Sequence, residues 1–509
     1  MQDIKPVIQA EDAFVKQESK KALHQDASEK EITKYLKSKI GNVIYVPESD
    51  EWYVYDGKVY VTIHRERVVS KALKVLYEIG NGKNENKRKA SSITEHLGLI
   101  SHIDDGRSIN DQRNCLILDN CVLDIEDNAF SIKNHSPQIY NTNLIKVSVS
   151  KDDVEKINNE KYNPLEDAPI FKKFLNETFS YGFYKESKKT IELVQEMMGY
   201  CLTNHTKAQK AFFLKGDGQD GKSVICDVIE GVVGKENTTQ MNFESFNKEF
   251  YNASIIGKTA SISRESKRVK FKEDVNTGTF KALVGGDTIQ INIKNKPIQS
   301  IKPFCKLIFA VNHYPEVPDN SHGFARRVIN IPFRRRVPQN EINTNLANDI
   351  LNNEFKQVFL FALQGLYRLS KNNYQFNLSL DIKEETEKYL NIIDPYQDFI
   401  RKKLVINNNA KIKTIELEQV YTEYMEMNDI SGNINIKSLI RNIKERNPNN
   451  KIDTTKNIIA DKSIFADGYF ILKTLFNARQ NDLNHAKYYM YHDFSYDGWV
   501  SKPNILDYD

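Results

Sequence analysis

The chain has little of what would bind it to a membrane, an oxidising compartment or a metal. Its 509 residues contain no run of about 18 apolar residues, so no transmembrane helix is expected. No apolar signal core opens the sequence, which points to a protein retained inside the cell. Cysteines number five, an odd count without C-x-x-C spacing; this excludes a disulfide framework and fits the reducing cytoplasm. The ten histidines are scattered, so no zinc site is expected. A net charge of +4 is too small to argue for nucleic-acid binding by itself, and only a local concentration of basic residues can do so.

What is present is the balance of a soluble globular protein, 40% hydrophobic and 28% charged, with length for about three domains. One octapeptide carries the chemistry: Gly216, Asp217, Gly218, Gln219, Asp220, Gly221, Lys222 and Ser223 spell G-x-x-x-x-G-K-[ST]. Ala211–Leu214 before it has the character of a buried strand, and Val224–Ile229 after it can continue as a helix. In that setting glycines let backbone N–H groups turn onto the phosphates of ATP, and the helix N-terminus adds its partial positive charge. Lys222 is expected on the β/γ-phosphates and the Ser223 hydroxyl on Mg²⁺.

Around this loop the chain divides into an expected charged helical arm (1–40), an α/β module (41–164), an ATPase domain with a preceding helical collar (165–394) and a C-terminal DNA-binding domain (395–509). In the module, β-branched and aromatic runs at 43–46, 52–55 and 59–63 flank Asp56-Gly57 as strands around a turn, and a second strand pair flanks Asp119-Asn120. From 170 to 203 helical periodicity dominates, its methionines Met197 and Met198 read as packing.

A phosphate loop alone leaves kinases, GTPases and motors open, so the residues that follow must decide. Thr259–Ser263 is expected as a strand ending at Arg264-Glu265, where Glu265 can hold Mg²⁺ through water and polarise the attacking water. Lys306–Val311 is expected as a buried strand that delivers Asn312 toward the γ-phosphate. Arg326 or Arg327 can be offered across a subunit interface to the neighbour's triphosphate.

The ordered set 216–223, 261–265, 285–287, 309–312 and 324–327 resembles a superfamily 3 helicase. More narrowly, it is similar to the helicase half of phage, plasmid and poxvirus primase–helicases, above all the stand-alone replicative helicase or initiator (Rep) proteins of staphylococcal pathogenicity islands, cassettes and phages. Segments 52–57, 116–125, 195–200 and 365–369 extend the resemblance to about residues 40–400. It implies an α/β fold with an AAA+-like P-loop core, a homo-hexameric ring and ATP with Mg²⁺ at each interface. Residue by residue, it makes Lys222, Glu265, Asn312 and Arg326 or Arg327 catalytic, with Ser223 and Glu265 on the metal. Lys294 or Lys296 matches the hairpin that grips the DNA backbone in the ring channel, a contact that is independent of sequence and suits translocation. Two departures stand out. Arg264 occupies the place of an acid that many members pair with Glu265, and no primase domain is evident, which implies a separate primase.

Beyond 395, two helices joined at a glycine-containing turn and followed by β-rich 469–472 read as a winged helix. Its second helix carries Lys437, Arg441 and Lys444 toward DNA. The function so implied is an ATP-dependent, 3′→5′ replicative DNA helicase in a bacterial host's cytoplasm, acting on single-stranded and forked DNA, with origin binding as a further role. The alternative is an origin-binding initiator whose ATPase serves assembly or melting. A small-molecule P-loop kinase would leave Asn312 and the Arg326-Arg327 pair unexplained.

Overall fold

The computed structural model describes residues 27–80, 86–103, 107–126, 129–160, 162–180, 184–247, 251–264, 277–294, 296, 298–315, 317, 322–393, 396, 399–400, 403–404, 414–427 and 435–446. By packing, the chain divides into units 1–386 and 387–509.

The first unit begins with helix α1 (Glu29–Ile40), started by a capping box in which Ser28 and Glu31 satisfy each other's backbone N–H groups. Over these residues the helix is not the solvated arm expected from its charge. Ile32, Leu36 and Ile40 form one apolar stripe, buried against Trp52, Val68 and Leu97. Strands β1 (Val43–Val46), β2 (Glu51–Tyr55) and β3 (Tyr60–Ile63) form an antiparallel meander. The Asp56 carboxylate accepts the N–H groups of Lys58 and Val59 at 2.8 and 2.9 Å, and Gly57 supplies the left-handed φ of +105° that the turn requires. Helices α2 (Arg65–Ile79) and α3 (Lys87–Leu99) pack on this sheet's core. Strands β4 (Cys115–Leu118), β5 (Val122–Glu126), β6 (Ala129–Lys133) and β7 (Leu144–Ile145) form a second sheet in the order β6-β5-β4-β7, with only β7 parallel to its neighbour.

Three helices follow: α4 (Lys151–Asn158), α5 (Pro169–Phe179) and α6 (Tyr184–Cys201). The chain then enters a five-stranded parallel sheet built from β8 (Ala211–Gly216), β9 (Thr238–Thr239), β10 (Ala260–Ser263), β13 (Lys306–Val311) and β14 (Val328–Phe333). Its order is β14-β8-β13-β10-β9. Helix α7 (Lys222–Val233) follows β8, and α8 (Thr277–Gly285) leads to an antiparallel hairpin of β11 (Ile289–Ile291) and β12 (Gln299–Ile301). The short α9 (His322–Ala325) precedes β14, and α10 (Leu346–Lys371) and α11 (Leu380–Ile393) follow it. The strands β8, β13 and β14 are wholly or almost wholly buried, as a parallel sheet covered on both faces demands.

Helices α6 and α10 meet backbone to backbone. A Cβ on Gly199 would collide with the carbonyl of Ala362, and one on Gly365 with the carbonyl of Gln195. Near its N-terminal end α10 is broken at Glu354, where φ is −128°. The buried Glu354 carboxylate accepts the N–H groups of Ile170 and Phe171 at 2.7 and 2.8 Å, satisfying orphan donors at the start of α5. A knot of buried amides joins the second sheet to the parallel one. Asn143 donates to Asn237 at 3.1 Å and to the Gly257 carbonyl at 2.7 Å, and Asn204 donates to Asn143 at 3.1 Å.

In the second unit, Phe399, Leu417, Tyr421, Leu439 and Ile443 form a separate core under α12 (Thr414–Met427) and α13 (Ile436–Arg446). Both helices expected of a winged helix are therefore present; the β-rich segment 469–472 lies outside the described residues.

Two measurements test this architecture. Gly365→Ala forces α6 and α10 apart, and a loss of about 3 kcal/mol is expected, read as a fall of several degrees in melting temperature. An unchanged melting temperature would contradict the close contact. The second concerns Lys306, which opens β13 fully buried with its ammonium on the carbonyls of Thr203 and Phe304. Burial pulls its pKa from the ordinary 10.5 down to about 8. Between those values the unfolded chain binds more protons at this group than the folded chain, so this term makes stability rise with pH from about 8 to 10.5, by about 3 kcal/mol in full. Thermal melts at pH 7.5 and 9.5 should show that rise in the wild type, and a smaller one in Lys306→Met.

Candidate functional site

The loop after β8 sits at the carboxyl edge of the parallel sheet, where crevices of such sheets receive ligands. Gly218 and Gly221 take φ values of +98° and +93°, and Gln219 is left-handed at +52°. Three such turns in four residues wrap the backbone into a concave loop, and α7 begins immediately at Lys222. The wrap is held from both sides. A Cβ on Gly221 would lie 2.9 Å from the Phe174 ring of α5, and one on Gly216 would lie 2.8 Å from the Phe333 carbonyl of β14. The Val337 N–H donates to the Gln219 carbonyl at 2.7 Å.

Within the loop an acid holds the base. Lys222 and Asp220 are both buried and form an ion pair. The same carboxylate accepts the Gly218 N–H at 3.0 Å and the Lys222 N–H at 3.2 Å. Two of these three donors, the Lys222 N–H and its ammonium, are those the motif would turn toward a phosphate. Asp217 instead points outward to Lys215 at 3.1 Å, and Ser223 is exposed on the first turn of α7.

Sheet register aligns the other expected residues with the loop. Val311 pairs with Lys215, so Asn312, exposed just past the end of β13, stands beside Gly216. On the far side of β13, β10 pairs in parallel and ends at Ser263. Glu265 lies outside the described residues. Arg264 turns back onto α7, with Asp227 at 2.9 Å and Glu230 at 2.6 Å, and so ties the end of β10 to the helix that follows the loop. The two arginines after α9 diverge. Arg327 is buried, donates to the Gly323 carbonyl at 2.6 Å, and has its pKa lowered by desolvation. Arg326 is exposed.

The hairpin lysines also differ. Lys294 is exposed at the tip, whereas Lys296 is paired with Glu51 of the N-terminal module at 3.1 Å. On α13, Leu439 and Ile443 face the core, while Lys437 and Arg441 are exposed and Lys444 is half-buried. Among the described residues, no helix is long and apolar enough to cross a membrane, and no cluster of three or more His, Cys, Asp or Glu side chains gathers for a metal. Sequence reasoning missed the run Arg334, Arg335, Arg336, which leaves β14 one residue beyond the pairing of Phe333 with Gly216. The signal was present as three consecutive cations directly after an apolar strand.

A family described as "D5 N terminal like" matches residues 8–180, and a "Family of unknown function (DUF5906)" matches residues 214–327, which run from the end of β8 to Arg327. The "Putative helicase L207/L206" of Acanthamoeba polyphaga mimivirus is 24% identical over 302 residues, 54% of this chain and 31% of that protein. The chain thus spans about a third of the length of that curated relative. Among solved structures, the A form apo structure of the NrS-1 C-terminal region is 15% identical, with a TM-score of 0.47 over 84% of this chain and 98% of that one. An apo structure of NrS-1 residues 305–718 is 14% identical, with a TM-score of 0.44 over 85% and 97%. The D5-type match and the mimivirus relative support kinship with helicase-like proteins of viral replication.

The Asp220 carboxylate competes with any anion that enters the loop. Asp220→Asn removes one negative charge and weakens the hold on Lys222, so inorganic tripolyphosphate should bind about tenfold more tightly to the variant. Calorimetric titration at pH 7.5 measures this, and equal or weaker binding would show that the carboxylate does not occupy the anion's place.

Proposed function

We propose that this chain is an ATP-driven DNA helicase of a phage or other mobile genetic element, an AAA+-like motor of the superfamily 3 type. The observation that carries the proposal is convergence at one sheet edge. The phosphate loop leaves β8, Asn312 leaves its neighbour, the central strand β13, and the segment toward Glu265 leaves β10 beyond that. A kinase of small molecules needs the first of these and gives no account of the exposed Arg326 or the lysine-tipped hairpin.

Each residue has a role in this reading. Backbone N–H groups of 218–223 cradle the phosphates, Lys222 neutralises their charge, and the Ser223 hydroxyl and Glu265 hold Mg²⁺. Bound ATP with Mg²⁺ supplies the phosphoanhydride whose cleavage drives movement. Asn312 orients the attacking water beside Gly216. Arg326 serves as the finger toward a neighbouring subunit of a homo-hexamer, because it is exposed, whereas Arg327 is spent inside its own subunit. Lys294 contacts the DNA backbone from the hairpin tip, and the Lys296–Glu51 pair ties the same hairpin loop to the N-terminal module. In the C-terminal unit, a winged helix, Lys437, Arg441 and Lys444 of α13 meet DNA, origin DNA included. A separate primase supplies primers, and the setting is a bacterial host's cytoplasm.

Unwinding of duplexes with a 3′ or a 5′ single-stranded tail tests the proposal. Displacement is expected from the 3′-tailed substrate alone, reduced on the order of 10²-fold or more in Lys222→Ala. Folded wild-type protein that binds duplex DNA tightly yet displaces neither strand would replace the helicase with an origin-binding initiator.

A further inference from the structure

Four cations of the first unit, Arg107, Arg113, Lys207 and Lys302, lie in one connected stretch away from the phosphate loop, the hairpin tip and α13. Each step along it is a contact. Arg107 and Gln112 both donate to the Gln138 carbonyl, at 3.3 and 3.2 Å. Arg113, the next residue, donates to the carbonyl of Lys302, just past the end of β12, at 3.3 Å. Asn114, ahead of β4, accepts the Lys207 ammonium at 3.1 Å. Lys207 and Lys302 each stand four residues before a strand, β8 and β13, so the stretch joins the N-terminal module to the amino edge of the parallel sheet. The phosphate loop lies at the opposite, carboxyl edge.

Positive charge gathers here with little to balance it. Arg113 and Lys207 meet amide and carbonyl oxygens and ring faces, and the acid that bears on Arg113 is Asp111. Desolvation outweighs that acid and lowers the pKa of Arg113, and it lowers that of Lys207 as well. Burial first, then Lys306, Lys207 and Arg113, push the neighbouring His205 down to about 2, so both surface cations face the same buried imidazole. Aromatic rings alternate with the cations. Arg107 lies over Tyr140 at 4.6 Å, Arg113 over Phe304 at 6.0 Å and Lys207 over Tyr374 at 5.0 Å. Tyr140 and Tyr374 are half-buried and reach the surface, and Lys207 and Lys302 are exposed. Cations that follow a backbone, interleaved with rings that offer a face to any base, are what binding of a single strand without sequence preference requires.

We propose that this stretch is a track for single-stranded DNA, separate from the hairpin tip and from α13, with phosphates on Arg107, Arg113, Lys207 and Lys302 and bases against Tyr140 and Tyr374. Binding here needs no nucleotide in the phosphate loop, so the track stands or falls apart from the motor assignment. Gln112, Asn114 and Gln138 act through the cations they hold, as positioning residues.

The test is fluorescence anisotropy of a labelled oligothymidylate of about 20 residues with the full chain, without nucleotide, across about 50–200 mM salt. The triple variant Arg107→Glu, Lys207→Glu, Lys302→Glu should bind about a hundredfold more weakly. Its slope of log K on log salt should be shallower by about 2, because each lost phosphate contact removes about 0.7. Among the described residues the Lys302 side chain has no partner, so Lys302→Glu alone should melt like wild type and still lose about fivefold. That single variant decides the matter if the triple one does not fold. Unchanged affinity and slope for oligothymidylate in a folded triple variant, or unchanged affinity in Lys302→Glu, overturns the proposal, whatever happens to duplex binding or to ATP.

Discussion

The close approach of α6 and α10, with Gly199 against Ala362 and Leu366 and Gly365 against Gln195, is the constraint on which the first unit is built. Helix α6 delivers the chain toward β8, and α10 crosses it with no side chain between the two backbones. That approach lets α10 lie across α6, α7 and α5 at once, so the helix after the loop and the helix against it share one support. Glu354 closes the arrangement from the other end. The break in α10 aims its carboxylate at the first turn of α5, whose Phe174 lies against Gly221. A carboxylate more than 180 residues from that turn in sequence thereby holds the start of the helix that packs against the 216–221 loop.

The amide knot plays a different part. Asn143, Asn204 and Asn237 are buried and spend their side chains on one another and on nearby carbonyls. Such a network is stable only when every member is satisfied, so it fixes how the second sheet docks on the parallel one more sharply than apolar packing would. The order of the parallel sheet then does the rest. Because β13 lies between β8 and β10, the chain segments leaving all three strands open on the same edge, though they come from positions about 50 residues apart.

Much of this was legible in the sequence, for local reasons. The octapeptide, the strand before it and the helix after it depend on neighbours within about ten residues, as does the Asp56-Gly57 turn, whereas the hairpin carrying Lys294 was legible only through the family resemblance. The losses have equally physical causes. Helix α1 looked solvated because eight of its twelve residues are not buried, and three apolar residues sufficed to make the stripe. Arg264 read as a departure from a family pattern because Asp227 and Glu230, its partners, lie more than 30 residues away. Arg326 and Arg327 are indistinguishable as letters, and separate only once the turn before β14 buries one of them. Lys306 carries no sign in the sequence that its ammonium ends on two carbonyls beneath Tyr200. Residues such as Glu265 and the segment 469–472 lie outside the described chain.

The ion pair of Lys222 and Asp220 bears on how a ligand leaves. The carboxylate is tethered two residues from the lysine, so its effective concentration at the ammonium is that of an intramolecular competitor and does not fall on dilution. Any anion that loosens in the loop therefore meets a resident rival already in place, and each partial departure can be completed by the carboxylate's return.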